Sequence, residues 1–341
     1  MRTVMKAGKL PQAVLERSVL RYVKKENKNE QPPAVGFDAG VFWVKEERMA
    51  AMTQTVSGEG VRTGELALLR AVNSLAVAGA IPEQVTFAIT LPVSMEESEL
   101  KKMMERVQKR CKELSVTVAA GHTAVSKSVT EPVVSVTALG SMVLESDSEM
   151  LVHTAKQTVA DAKIIMTKWC GLCGTALLAE HYKEALCTRY TKSFIEKAEP
   201  FFEKISVLKE AELAKEAGVL FMHAAAEGGI FGALWELAEQ IGCGMDIDIR
   251  KIPIKQETVE ICEYFDCNPY QLRAEGSLLL VSKQAEQLCL VLQNAGIPAA
   301  VIGELREGND RRLLNEDEVR FLEPNRVEEY ERIRENFNRI K

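Results

Sequence analysis

A chain of 341 residues, 46% hydrophobic and 27% charged, is long enough for two ordinary domains and too apolar for a disordered, collagen-like or mucin-like protein. Its 43 basic and 49 acidic residues give a net charge of -6 with no segregated block of Lys and Arg, so the partner expected is a small molecule or a protein, not nucleic acid or an anionic membrane. No window reaches the roughly 18 consecutive apolar residues of a membrane span, and Arg2, Lys6, Lys9, Glu16 and Arg17 interrupt any signal-peptide core, so a cytoplasmic protein is expected.

Leu10 and Pro11, followed by Val14, Leu15, Val19, Leu20 and Val23, have helical spacing, and the polar run Lys24–Pro33 then reads as a connector. Ala34–Val44 and Met49–Val56 read as a hairpin around the charged turn Lys45–Arg48. Gly58, Gly60 and Gly64 feed a helix through Leu66, Leu69, Val72, Leu75 and Ala76, which stops at Gly79 and Pro82. A strand over Glu83–Leu91, a helix over Glu96–Leu114 and strands over Val116–Ala120 and Val133–Val143 complete one α/β unit.

The polar stretch Leu144–Asp161 marks the domain boundary, and Lys163–Thr167 opens a second unit. Helices are expected there near Thr175–Tyr182, Thr191–Glu216, Gly229–Ile241, Gln256–Phe265 and Lys283–Ala295. Strands are expected near Val219–His223, Met245–Ile249, Ser277–Val281 and Ala299–Gly303, with a closing helix over Val327–Ile340. No solenoid repeat or low-complexity tract interrupts the pattern. The eight cysteines, scattered from Cys111 to Cys289, suit reduced thiols in a core better than a disulfide framework.

Separate segments of the chain together resemble the PurM-like, two-domain ATP-utilising superfamily of aminoimidazole ribonucleotide (AIR) synthase. Its members include the hydrogenase-maturation protein HypE, selenophosphate synthetase and thiamine-monophosphate kinase. The segments are Gly36-Phe37-Asp38-Ala39-Gly40, the loop and helix Gly58–Ala80 containing Asn73-Ser74, the turn Gly121-His122-Thr123, and His223-Ala224-Ala225-Ala226-Glu227-Gly228-Gly229. Gly228 through Asp248 and Lys251-Ile252-Pro253-Ile254 to Glu275-Gly276-Ser277-Leu278 look most like HypE and AIR synthase-related proteins. The resemblance runs from about Lys9 to about Glu304, nearly the whole chain.

It implies an α+β fold with α/β-type layers in two domains. Residues 1–150 form an N-terminal domain whose sheet pairs across a homodimer, residues 151–341 form a C-terminal α/β domain, and ATP binds near the dimer interface. Phosphoryl transfer from ATP needs positive charge over the phosphates, commonly Mg²⁺ held by carboxylates. In the family those carboxylates come from an Asp pair, an Asp after Thr, an Asn-Asp in the long helix and an Asp after the later His or Arg. Here Phe37, Gln54, Ser74 and Ala224 occupy the matching positions, and Asp38 alone of the group remains as a metal or catalytic candidate. Losing four negative charges argues against an ordinary Mg²⁺ site, although Gln54, Ser74 and Asn73 can still hydrogen-bond an anion.

Nucleotide contacts are expected from Asp38, Gly58, Gly60, Arg62, Gly64, Asn73, Gly121, His122, Thr123, Glu227, Gly228 and Gly229, with His122 and His223 as further catalytic candidates. Glycines allow close backbone approach, a helix start favours an anion, and Arg62 can pair with a phosphate. Read alone, the same loop is a strand-to-helix turn with Arg62 in solvent, His122 and His223 are structural histidines, the latter packed on Trp235, and Glu227 is a first-turn carboxylate. Cys170-Gly171-Leu172-Cys173 reads as a strand-to-helix turn more readily than as half of a zinc or redox site, since zinc would need two more ligands and the other close pair, Cys262 and Cys267, has a longer spacing at an apparently amphipathic helix end.

The resemblance to HypE implies a C-terminal cysteine that accepts a carbamoyl group at the expense of ATP. This sequence ends Asn338-Arg339-Ile340-Lys341 and its last cysteine is Cys289, so that reaction is not expected in that form. The expectation is a divergent or inactive nucleotide-binding dimer with a small-molecule substrate or a maturation protein as partner. The alternative is an ATP-dependent enzyme, HypE-like or thiamine-monophosphate-kinase-like, that transfers phosphoryl to or activates a small oxygen or amide substrate with a rebuilt metal site.

Overall fold

The computed structural model describes residues 12–21, 34, 39–142, 161–324 and 328–340. Contacts divide the chain into two units, residues 23–146 and residues 1–22 with 147–341. Apart from Asp161, the boundary segment Leu144–Asp161 lies largely outside the described residues, as do Leu10 and Pro11. The first helix, α1 (Gln12–Leu15), continues as a π-helical turn over Glu16–Leu20. Its Gln12 side chain donates to Glu239 at 2.6 Å and accepts from the Trp235 indole at 3.4 Å, which ties it to the second unit.

In the first unit, alternation of apolar and polar residues writes a five-stranded sheet. Its strands are β1 (Gly40–Val44), β2 (Glu47–Ser57), β3 (Ala80–Pro92), β4 (Thr117–Ser126) and β5 (Val133–Met142), in the order β1-β2-β5-β3-β4. Val134, Val136 and Ala138 of β5 are buried, while Ser135 and Thr137 face the other way. Helix α2 (Thr63–Val77) covers the apolar face, packing on β2, β3 and β5, and α3 (Glu97–Glu113) lies against α2. A capping box between Glu96 and Glu99 starts α3, and its Met103, Val107 and Cys111 point inward. On the open face the hydroxyls of Thr53 and Thr137, and of Thr55 and Ser135, pair at 2.9 and 2.7 Å.

Two details differ from the sequence reading. Strand β3 starts at Ala80 and runs through Pro82, which the ladder accommodates by a register shift between Pro82 and Gln84. Strand β4 continues past Ala120 to Ser126, so Gly121-His122-Thr123 is not a turn at a sheet end but the middle of an edge strand parallel to β3. The β-branched residues Val118, Thr123 and Val125 carry the extended backbone through.

The second unit is a seven-stranded sheet in the order β12-β11-β8-β10-β6-β9-β7. Its strands are β6 (Lys163–Thr167), β7 (Phe221–Ala224), β8 (Gly244–Asp248), β9 (Leu278–Ser282), β10 (Ala299–Arg306), β11 (Arg311–Asn315) and β12 (Glu318–Phe321). The connecting helices are α4 (Leu172–His181), α5 (Lys183–Leu186), α6 (Lys192–Ile195), α7 (Leu208–Glu216), α8 (Gly229–Ile241), α9 (Gln256–Tyr264), α10 (Ala285–Asn294) and the closing α11 (Glu329–Ile340). Ile164, Met166, Leu279, Val281 and Met245 of the sheet share one core with Ile230, Leu234, Leu237 and Ile241 of α8.

The single helix expected over Thr191–Glu216 is instead α6, a 3₁₀ segment Glu199–Lys204 and α7. Pro200, lacking an N–H and clashing with the preceding turn, breaks the periodic pattern. The hairpin β11/β12 was not expected, because its strands mix Arg and Glu with Leu and Val and its Glu316 adopts φ +54 without a glycine.

Candidate functional site

The residues singled out by the sequence fall in both units, and each group has its own geometry. In the first unit, Gly58 at φ +80 and Gly60 at φ +52 occupy the left-handed region that lets β2 turn sharply into α2. The loop is held by its own polar groups. The Gly58 N–H donates to the Pro132 carbonyl at 3.2 Å, the Glu59 N–H to the Thr63 hydroxyl at 3.2 Å, and that hydroxyl to the Gly60 carbonyl at 2.8 Å. A Cβ on Gly60 would meet nothing within 4 Å, so this glycine faces open space. Gly64 does a different job: a Cβ there would lie 2.9 Å from Val107, and its absence lets α2 and α3 approach.

Arg62 is turned inward. Its Nη1 lies 3.5 Å from Glu65, which also receives Arg110 Nε at 2.7 Å and lies 3.6 Å from Arg106. Glu65 is only 2% exposed, so one buried carboxylate gathers three guanidinium groups. Arg110 also pairs with Glu113 at 2.7 Å. The dipole of α2 favours an anion at the loop. Glu59, 1% exposed, is a carboxylate enclosed within the loop itself.

Neutral groups occupy the described positions where carboxylates were expected. Gln54 is half-buried on β2 between buried Met52 and Val56, hence on the helix-covered face, and Ser74 sits on α2 beside buried Asn73. Asp38 and Phe37 lie outside the described residues. His122 is exposed on edge strand β4 opposite Ala88, with Thr123 beside it opposite Ile89.

In the second unit, His223 ends the buried part of edge strand β7, and its Nε2 lies 3.1 Å from Glu236 Oε2 on α8. That carboxylate is its polar partner, and Ala224 follows with no side-chain donor for a metal. Gly228 and Gly229 have φ +84 and +66, and a Cβ on Gly229 would stand 2.5 Å from the Tyr270 carbonyl oxygen. The same carbonyl accepts the Phe231 N–H at 3.0 Å, so the loop at Tyr270 caps one of the first amides of α8.

Glu227 points to Arg273, with Oε1 at 3.5 Å from Nη2. Arg273 also faces Glu275 at 3.7 Å, and its guanidinium stands 4.7 Å from the ring centre of fully buried Tyr330 on α11. The Tyr330 hydroxyl lies 2.9 Å from His181 Nδ1. Glu328 completes the cluster, accepting the Glu331 N–H at 2.8 Å. Its burial pushes the carboxyl up to about 7 against the attraction of Arg273.

The structure therefore gives His223 and Glu227 different partners. Glu236, Arg273, Glu275 and Glu328 escaped the sequence reading, because separations of 13 and 46 residues carry no periodic signal. Among the described residues no three His, Cys, Asp or Glu side chains stand together with the geometry of a metal site. The described positions Gln54, Ser74 and Ala224 offer no carboxylate to a cation. No described helix is long and apolar enough to cross a membrane.

Comparison with known proteins bears on both units. Residues 36–142 match the N-terminal domain, and residues 159–314 the C-terminal domain, of the family described as AIR synthase related protein. A hydrogenase expression/formation protein of Methanocaldococcus jannaschii is 27% identical over 228 residues, 67% of this chain and 64% of that protein. Carbamoyl dehydratase HypE of Rhodobacter capsulatus is 26% identical over 223 residues, 65% of this chain and 62% of that protein. Both alignments span less than two thirds of the relatives' own length. Among solved structures, HypE in a HypE–HypF complex superposes with TM-score 0.70 at 18% identity, over 91% of this chain and 99% of that one. HypE in complex with ATP superposes with TM-score 0.65 at 15% identity, over 95% and 97%. These likenesses give the fold: a two-domain PurM-like α+β architecture.

Proposed function

Because the chain belongs to the AIR synthase related protein family, we propose that it is a HypE-like nucleotide-binding homodimer whose Mg-ATP site is degenerate. The observation that carries this reading is the set of uncharged side chains Phe37, Gln54, Ser74 and Ala224 at the positions of the family's carboxylates. Mg²⁺ commonly leans on one or two carboxylates together with phosphate oxygens, and neutral amides and hydroxyls do not replace that charge. The loop Gly58–Gly64 and the start of α2 still suit a polyphosphate, and a structural neighbour is HypE in complex with ATP. ATP is therefore the ligand proposed, held without metal-assisted chemistry.

Pairing of two copies through the first sheet is supported by edge strand β4, whose Val118 and Val125 remain exposed. A maturation protein is the partner class proposed, since one neighbour is HypE in a HypE–HypF complex.

The competing reading, an ATP-dependent enzyme with a rebuilt metal site, has one observation in its favour: Glu59 is a carboxylate enclosed in the glycine loop. A phosphate-release assay with Mg-ATP separates the two. We expect no release above the protein-free background; saturable, Mg²⁺-dependent release abolished by Glu59→Gln would establish the enzyme instead.

A further inference from the structure

Helix α9 ends in a way that brings two cysteines together. Asp266 adopts φ +49, its N–H donates to the Glu263 carbonyl at 3.3 Å, and the Cys267 N–H donates to the Cys262 carbonyl at 3.0 Å. These paired bonds, closed by a left-handed residue, define a Schellman stop, in which the side chain after the left-handed residue packs on the one five positions earlier. Here both side chains are thiols. A 3.0 Å bond from one residue's N to the other's O confines their Cα atoms to within about 7 Å, the span a disulfide bridges.

Both cysteines are free thiols, Cys267 half-exposed and Cys262 buried behind it. Their hydrogen bond, with burial, raises the Cys262 thiol above its ordinary value, and its greater exposure makes Cys267 the sulfur that meets an external reagent. The other thiols are placed differently. Cys170 is buried and donates to the Pro269 carbonyl at 3.0 Å, whereas Cys187 is exposed.

We propose that Cys262 and Cys267 form a modification site, a dithiol that low-molecular-weight disulfides such as oxidised glutathione convert into an intramolecular disulfide. The Cys267 thiolate attacks the glutathione disulfide, forming a mixed disulfide and releasing one glutathione thiolate. Cys262 then gives up its proton to solvent and attacks the Cys267 sulfur, and the second glutathione leaves. Two protein thiols are oxidised and one small disulfide is reduced to two thiols. The bridge closes the turn whose Asp266 carbonyl accepts from Arg332 of α11 at 2.5 Å, so oxidation acts on the seat of the closing helix.

The test treats the full chain with oxidised glutathione, alkylates the remaining thiols and digests with trypsin. Both cysteines fall in the one peptide Gln256–Arg273. Most of it is expected to appear two hydrogens lighter than the reduced peptide and without alkyl groups, to revert with dithiothreitol, and to form equally in Cys187→Ser but not in Cys267→Ser. If Gln256–Arg273 stays doubly alkylated, or stops at the mixed disulfide, while Cys187 becomes glutathionylated in the same sample, the proposal fails.

Discussion

Gly229 shows how much one missing methyl group can decide. Its φ of +66 is a conformation that other residues rarely adopt, and a Cβ would stand 2.5 Å from the Tyr270 oxygen and 2.7 Å from that of Leu272. Left-handed strain and overpacking together predict that Gly229→Ala lowers stability by about 2–4 kcal/mol. Urea unfolding checks this, and a midpoint unchanged from the natural chain would contradict it. Glu328 is the other residue with a definite consequence. Its carboxyl is pushed up to about 7 by burial, with Glu227 and Glu275 adding repulsion and Arg273 and the Glu331 amide opposing it. The folded state then holds a proton that the unfolded chain has released, so this group's stabilisation is full below the ordinary carboxylate range and fades as pH rises toward about 7. Glu328→Gln keeps an oxygen for the helix cap and should flatten the decline in unfolding midpoint between pH 5 and 7. Parallel pH profiles for the two chains would refute the assignment.

At the level of elements, α11 is attached through buried Ile333, Phe337 against Phe265, Arg332 on the Asp266 carbonyl, and Tyr330, which is fully buried under Arg273 and bonded to His181. Truncation to Ala removes the ring and leaves Arg273 without its face, a loss of about 3–5 kcal/mol. Faster proteolysis within Glu329–Ile340 than in the natural chain is the expected outcome; equal rates would show that the helix is held elsewhere. The elements with clean periodicity, α2, α8 and β5 among them, and the continuous apolar run of β9, were legible in the sequence because local pattern and burial agree. The split at Pro200 was written there too, but the apolar spacing on either side masked it. Strand β4 and the hairpin β11/β12 were harder, since edge strands need not alternate when neither face is fully covered. In the candidate site, the positions of the loop and of His223 were legible, but the partners were not. Arg110 lies 45 residues from Glu65 and Arg273 lies 46 from Glu227, and only the folded sheet and helices bring them together.

The whole molecule unites a kept fold with altered charge. Both family domains are present, and in the proposed reading Gln54, Ser74, Ala224 and Phe37 remove the negative charge that would hold a divalent cation. The uncovered β4 edge predicts a dimer by sedimentation, and Val125→Lys, which sets like charges at a symmetric contact, should shift it toward monomer. A natural chain that sediments as a monomer at micromolar concentration would contradict that pairing. The central claim is that the protein keeps nucleotide and has lost the metal dependence of its binding. Calorimetric titration with a non-hydrolysable ATP analogue, with and without Mg²⁺, tests it most directly. The account predicts saturable binding of similar affinity in both titrations; binding that appears only with Mg²⁺, or none up to millimolar analogue, would contradict it.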